Sequence, residues 1–131
     1  MDMRQQPVET LILSNNLELR IYDRSIKLAG DRWTVEAMME IPVPLTADLR
    51  ERLSPDKALV EQFVQEHGDP FLYRHHKARH FIDEREKDRT FQALKEDFLR
   101  ANRNYLSHPR FAHLVVAKAF REWEERRRWW R

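Results

Sequence analysis

The sequence predicts an α+β fold, an antiparallel sheet of three to four strands packed against three helices, in a single domain spanning residues 1–131. Three patterns carry that expectation. The first third of the chain alternates apolar and polar residues with the period of strands, the last third repeats apolar residues at helical spacing, and Gly30 and Gly68 are the only glycines. A chain of 131 residues buries roughly two-thirds of its unfolded surface on folding, enough for a core without disulfides.

Thr10 to Leu13 reads as a short strand closed by the turn Ser14-Asn15-Asn16. Leu17, Leu19 and Ile21 then alternate with Glu18, Arg20 and Tyr22, and the same alternation returns at Trp33, Val35, Ala37, Met39 and Ile41. Ala29-Gly30-Asp31 supplies the turn between them, so residues 17–41 read as a long hairpin and the first three strands as a meander. Of the two methionines at 38 and 39, Met39 is expected in the core. Pro42 and Pro44, which donate nothing to a ladder, are expected to end the third strand.

Ser54-Pro55-Asp56 opens the first helix with a hydroxyl N-cap, Leu59, Val60, Phe63 and Val64 form its apolar stripe, and Gly68 ends it; residues 47–53 add a helical turn before it. A second helix starts at the Asp83/Glu86 capping pattern and carries Phe91, Leu94, Phe98, Ala101 and Tyr105 on one face. Ser107-His108-Pro109 caps the third, which runs through Phe111, Leu114, Val115, Phe120 and Trp123.

Residues 71–82 lie between the turn Gly68-Asp69-Pro70 and the cap at Asp83, and a fourth strand fits there without a break. It places Phe71, Tyr73, His75, Lys77, Arg79 and Phe81 on one face and Leu72, Arg74, His76, Ala78, His80 and Ile82 on the other. This segment holds three of the six histidines. On a strand His76 and His80 stand roughly 13 Å apart and cannot share an ion. His76 also lacks the following Glu of a metalloprotease helix, and Lys77 and Arg79 would repel a cation, so no metal site is expected.

Other chemistries lack their residues as well. Two glycines cannot build a phosphate-cradling loop, and Ser14, Ser25, Ser54 and Ser107 sit in turns or caps without a nucleophile elbow. The absence of cysteine excludes thiol nucleophiles and zinc ribbons and fits a reducing cytoplasm. The start lacks the apolar stretch of a secretory signal and no run approaches the ~20 apolar residues of a membrane span, so a soluble protein is expected. Asp23-Arg24-Ser25 with Gly30 resembles the D-x-S-x-x-G signature of PilZ domains, which bind cyclic di-GMP beside an upstream R-x-x-x-R. Here the glycine follows the serine by five residues instead of three, and Arg20 and Arg24 overlap the motif instead of preceding it. The residues read instead as a hairpin turn in which Asp23 and Ser25 bond to nearby backbone.

The net charge of +2 conceals a division. Residues 1–70 carry 8 basic and 13 acidic side chains, net −5, and residues 71–131 carry 16 and 9, net +7. Arg126, Arg127, Arg128, Trp129 and Trp130 concentrate cations and indoles at the C-terminus. Glu122/Arg126 and Glu124/Arg128 stand at i, i+4, and Val116, Phe120, Trp123, Arg127 and Trp130 form a 4-3-4-3 seam that would pack on another helix. Tyr73, Tyr105 and the phenylalanines at strand or helix spacing read as core or sheet surface and not as an RNA-stacking platform.

These observations predict a small cytoplasmic protein without cofactor or catalytic residues, an interaction or structural domain whose partner is a protein or a second copy. Arg74, His76, His80, Arg126, Arg127 and Trp130 are the candidate partner-binding residues. The alternative is a nucleic-acid-binding module using the basic C-terminal half.

Overall fold

The computed structural model describes residues 6–129. Its fold is α+β: a five-stranded antiparallel sheet with one face covered by four helices. The strands are β1 (Glu9–Ile12), β2 (Glu18–Asp23), β3 (Ile26–Ala29), β4 (Arg32–Val43) and β5 (Phe71–Asp83). The helices are α1 (Ala47–Leu53), α2 (Lys57–His67), α3 (Lys87–Leu106) and α4 (Phe111–Trp129).

Strand β1 pairs with β2, and β2 and β3 pair with successive stretches of one edge of β4. Tyr22 faces Met38 and Ile26 faces Thr34 in one continuous register, so β2 and β3 are one strand interrupted at Arg24-Ser25. At that interruption Arg24 N still donates to Glu36 O at 2.9 Å, and side chains supply the other bonds. Asp23 Oδ1 accepts from Ser25 N at 3.0 Å and Ser25 Oγ accepts from Glu36 N at 3.1 Å, the local backbone bonding the sequence suggests for this pair. Strand β5 takes the other edge of β4 along nearly its whole length, from Val43/Phe71 to Arg32/Asp83. The hairpin turn forms where expected, with Gly30 at φ +55°. Asn16 takes φ +69° in the first turn, while Asn15 donates to the carbonyls of Leu106 and His108 and ties that turn to the α3–α4 connection.

The inner face of the sheet presents Leu19, Ile21, Val35, Ala37, Met39, Ile41 and Val43, all fully buried. Against them pack Leu49 of α1, Val60, Phe63 and Val64 of α2, Phe91, Leu94 and Phe98 of α3, and Phe111, Val116, Phe120 and Trp123 of α4. The apolar side chains face one layer in each element, as burial of each amphipathic face requires.

Several local expectations need correction. Residues 47–53 form a helix in their own right, capped by Thr46 Oγ1 accepting from Leu49 N, so the sheet carries four helices and not three. Asp56, not Ser54, caps α2; Ser54 Oγ instead accepts from Asp56 N. Asp83 caps a 3-10 turn (Glu84–Glu86) that precedes α3, and within Ser107-His108-Pro109 it is His108 Nδ1 that accepts from Arg110 N before α4. Pro42 lies inside β4. The β2 ladder stops at Arg20/Glu40, so Pro42 sits where no bond to β2 is made, and it is tolerated there opposite Leu72.

Strand β5 forms as expected, with Phe71, Tyr73 and Ile82 packed against the core. The positions of Phe81 and Ile82 are the reverse of simple alternation. His80 and Phe81 together oppose Thr34, and this bulge between the Trp33/Ile82 and Val35/Arg79 pairs turns Ile82 inward. Phe81 is left 76 % exposed at φ +60°, a left-handed conformation that costs an L-residue about 1–2 kcal/mol. The Phe81→Gly variant, which meets no such cost, is therefore expected to be more stable by about 0.5–1 kcal/mol, a shift read as an increased urea midpoint. An equal or lower midpoint contradicts this account of the bulge.

Candidate interaction surface

The helices cover the inner face only, and the alternation that buries Leu19, Ile21 and Val35 turns their neighbours to the opposite, uncovered face. Register then decides which of those neighbours meet. Glu40 stands between Arg20 on β2 and Arg74 on β5. Its carboxylate accepts from Arg74 Nε at 2.8 Å and from Tyr22 Oη at 3.3 Å, with Arg20 Nη1 3.8 Å away. Glu40 is only 5 % exposed although no helix covers it, because these side chains close over it. Arg20 also grips Glu18 Oε2 through Nε and Nη2 at 3.1 and 3.0 Å, and that hydrogen bond raises the guanidinium pKa despite partial desolvation.

The next rung is Tyr22, Met38 and His76. The Arg24 guanidinium lies 5.7 Å from the centre of the Tyr22 ring, and Tyr22 and Met38 are buried. His76 Nδ1 lies 3.9 Å from Glu36 Oε1, and His80 Nδ1 forms a 3.1 Å hydrogen bond with Thr34 Oγ1. The middle of the face is thus an interlocked polar layer. Around it stand Val8, Ile12, Ile26, Leu28, Leu72 and Phe81, the exposed large apolar residues of the sheet and its approach. Pairing places them here: Ile12 opposes Glu18, Ile26 opposes Thr34, and Leu72 opposes Pro42, all outward positions.

The candidate residues read from the sequence divide between two places. Arg74, His76 and His80 lie together on the uncovered face. Arg126 and Arg127 lie at the end of α4, in the helical layer, and Trp130 lies outside the described residues. Arg127 lies 4.7 Å from the centre of the Trp123 ring, whose Nε1 donates to Glu66; among the described residues the i, i+3 and i, i+4 ion pairs are Arg52/Asp48, Arg89/Glu86 and Arg100/Asp97, without the expected Glu122/Arg126 and Glu124/Arg128. Within the seam, Val116, Phe120 and Trp123 are buried against the rest of the protein. His75 faces inward, its ring 4.9 Å from that of Phe98. Burial, followed by the charges of Lys77 and His76, lowers its pKa.

Arg20, Tyr22, Arg24 and Glu40 complete the face and were absent from the sequence-based set. Their signal was parity: Arg20, Tyr22 and Glu40 are outward members of strands whose inward members are largely apolar, and Arg24 follows β2 in the same parity. A concavity of about 300 Å³ lies between α1 and α2, but Arg50 at its wall is neutralised by Asp69 at 3.0 Å and Glu61 at 3.8 Å. No group of three or more His, Asp or Glu side chains able to hold a metal ion occurs among the described residues. No helix among them is long and apolar enough to cross a membrane. No family model matches the chain, and neither a curated protein nor a solved structure matches it.

Proposed function

We propose that this protein is a non-catalytic interaction domain of the cytoplasm that pairs with a second copy of itself through the uncovered face of its sheet. The supporting observation is the composition of that face: exposed Val8, Ile12, Ile26, Leu28, Leu72 and Phe81 surround a polar centre. Apolar side chains gathered on one uncovered surface favour burial against a partner. The charged residues favour a copy of the same chain. Arg20, Arg24 and Arg74 share the face with Glu18 and Glu36, whose carboxylates reach the surface, so a copy related by a twofold axis can bring arginine against glutamate in both directions.

A nucleic-acid role for the basic half has less support. The carboxylates of Glu18 and Glu36 on the face would meet phosphate oxygens, Arg74 is already held by Glu40, and Arg127 packs on Trp123.

Sedimentation velocity over a concentration series tests the pairing. The wild type is expected to form dimers in the micromolar range, and a variant with Ile26→Glu and Leu28→Glu to need at least about tenfold more protein, roughly 1.4 kcal/mol. Both positions are exposed, so the circular dichroism spectrum should not change. A wild type that stays monomeric at about 100 μM overturns the proposal.

A further inference from the structure

The sheet has a long free edge as well as a free face. Strand β5 runs for 13 residues and, among the described residues, pairs with β4 on one side only, leaving the N–H and C=O groups of its other side without strand partners there. From Arg74 to Phe81 all but one of its residues, His75, are exposed. Alongside the start of β5 lies a groove of about 330 Å³ between the strand and α4, floored by Phe71, Tyr73, Val115 and Ala119, with Lys118 and Glu122 on its rim. Farther along the same inner side stand Lys77 and Arg79. Neither has an ion-pair or hydrogen-bond partner among the described residues, whereas Arg74, Arg20 and Arg32 on the sheet are all paired.

Backbone groups, an apolar groove at one end and two unanswered cations at the other are what an extended polypeptide needs for strand addition. Main-chain hydrogen bonds then supply affinity and alternate side chains supply specificity. The charges also determine the occupant. Strand β5 carries Arg74, Lys77 and Arg79 against a single acid, Asp83, so two copies paired edge to edge would set cation against cation. The edge repels itself and attracts acids.

Resting on the reading of the chain as a binding domain, we propose that the outer edge of β5 receives an extended acidic segment of another protein as an additional antiparallel strand. Its acidic end lies over Arg79 and Lys77, and its apolar end enters the groove beside Phe71 and Tyr73. In that register the residues alternating over Arg79, Lys77, His75, Tyr73 and Phe71 are two acids followed by three apolar side chains.

The probe is a fluorescein-labelled peptide, Glu-Ser-Glu-Ser-Val-Thr-Val-Thr-Val, measured by anisotropy at low and physiological salt. Saturable one-to-one binding is expected. It should weaken at least about tenfold with Lys77→Glu and Arg79→Glu combined, exposed positions that leave the core intact, and equally for a peptide N-methylated at alternate residues, which keeps charge and side chains but cannot form the ladder. No saturation by the wild type, or equal binding of the methylated peptide, overturns strand addition; the latter result means charge attraction alone. The face variant Ile26→Glu/Leu28→Glu should bind the peptide as the wild type does. A protein that dimerises normally yet ignores the peptide refutes the edge proposal and leaves the face proposal standing.

Discussion

Phe63→Ala is expected to lower the unfolding free energy by about 3–5 kcal/mol, the range for deleting a fully enclosed aromatic ring from a core. Phe63 has no exposed surface. Its ring meets Phe120 at 5.3 Å and Trp123 at 5.5 Å edge-on, Phe71 at 6.3 Å in a stacked arrangement, and His67 at 4.2 Å. These partners belong to α2, β5 and α4, so one truncation opens a cavity where three elements converge. Aromatic pairs of this kind contribute about 0.5–1.5 kcal/mol beyond burial of area, which places the loss toward the upper end of the range. Urea unfolding followed by tryptophan fluorescence measures it, because Trp123 reports from the same cluster. Phe63→Leu, which refills most of the volume, should cost clearly less. A loss below about 1 kcal/mol for Phe63→Ala would show that α2 is not anchored through this ring.

Glu40→Ala is the second large effect, a loss of about 2–3 kcal/mol from a site that no helix covers. A hydrogen bond to a charged group contributes about 1.5–3 kcal/mol, and Glu40 accepts one from Arg74 and another from Tyr22. Its deletion removes the acceptor of the buried Tyr22 hydroxyl and leaves Arg20 and Arg74 facing each other across the gap. Both arginines reach solvent, and Arg20 keeps Glu18, which limits the penalty to less than that of a fully buried pair. Glu40→Gln retains an acceptor for Arg74 or Tyr22 and should recover about half of the loss. Chemical denaturation of the three proteins at neutral pH compares them, and an Ala variant within about 0.5 kcal/mol of wild type refutes the network as a stabilising device.

How far the sequence reveals this molecule depends on the range of the interaction concerned. The hairpin is legible because Gly30 and the alternation on either side of it are local signals, and β5 is legible because a proline turn and a capping aspartate bracket it. The bulge is not: Phe81 and Ile82 are both apolar, and a period of two cannot reveal where one residue has been inserted. Ser54 and Asp56 are both good caps two positions apart, so composition does not rank them. The α1 helix has only Leu49 and Leu53 to signal its apolar side, too few for periodicity to separate a helix from a turn. The Arg20, Glu40 and Arg74 cluster depends on register across three strands, which no short window contains. The seam on α4 is visible through Val116, Phe120 and Trp123, but the partners of its arginines depend on the fold.

The pairing of β5 with β4 also bears on the order in which the protein is assembled. The first hairpins join residues as few as three and six positions apart, at Ala29/Arg32 and Ile12/Glu18, whereas β4 and β5 join residues 28 to 51 positions apart. Short closures come early and distant ones late. During synthesis, a nascent chain that has emerged only as far as α2 can already form β1 to β4, with the second edge of β4 still bare. That strand carries more buried apolar side chains than any other of the sheet, and a bare apolar edge invites pairing with other chains. Strand β5 closes that exposure when it arrives. It exchanges a sticky edge for a cationic one that discourages clumping, so the solubility of newly made protein should depend on the charges of a strand that contributes little to the core.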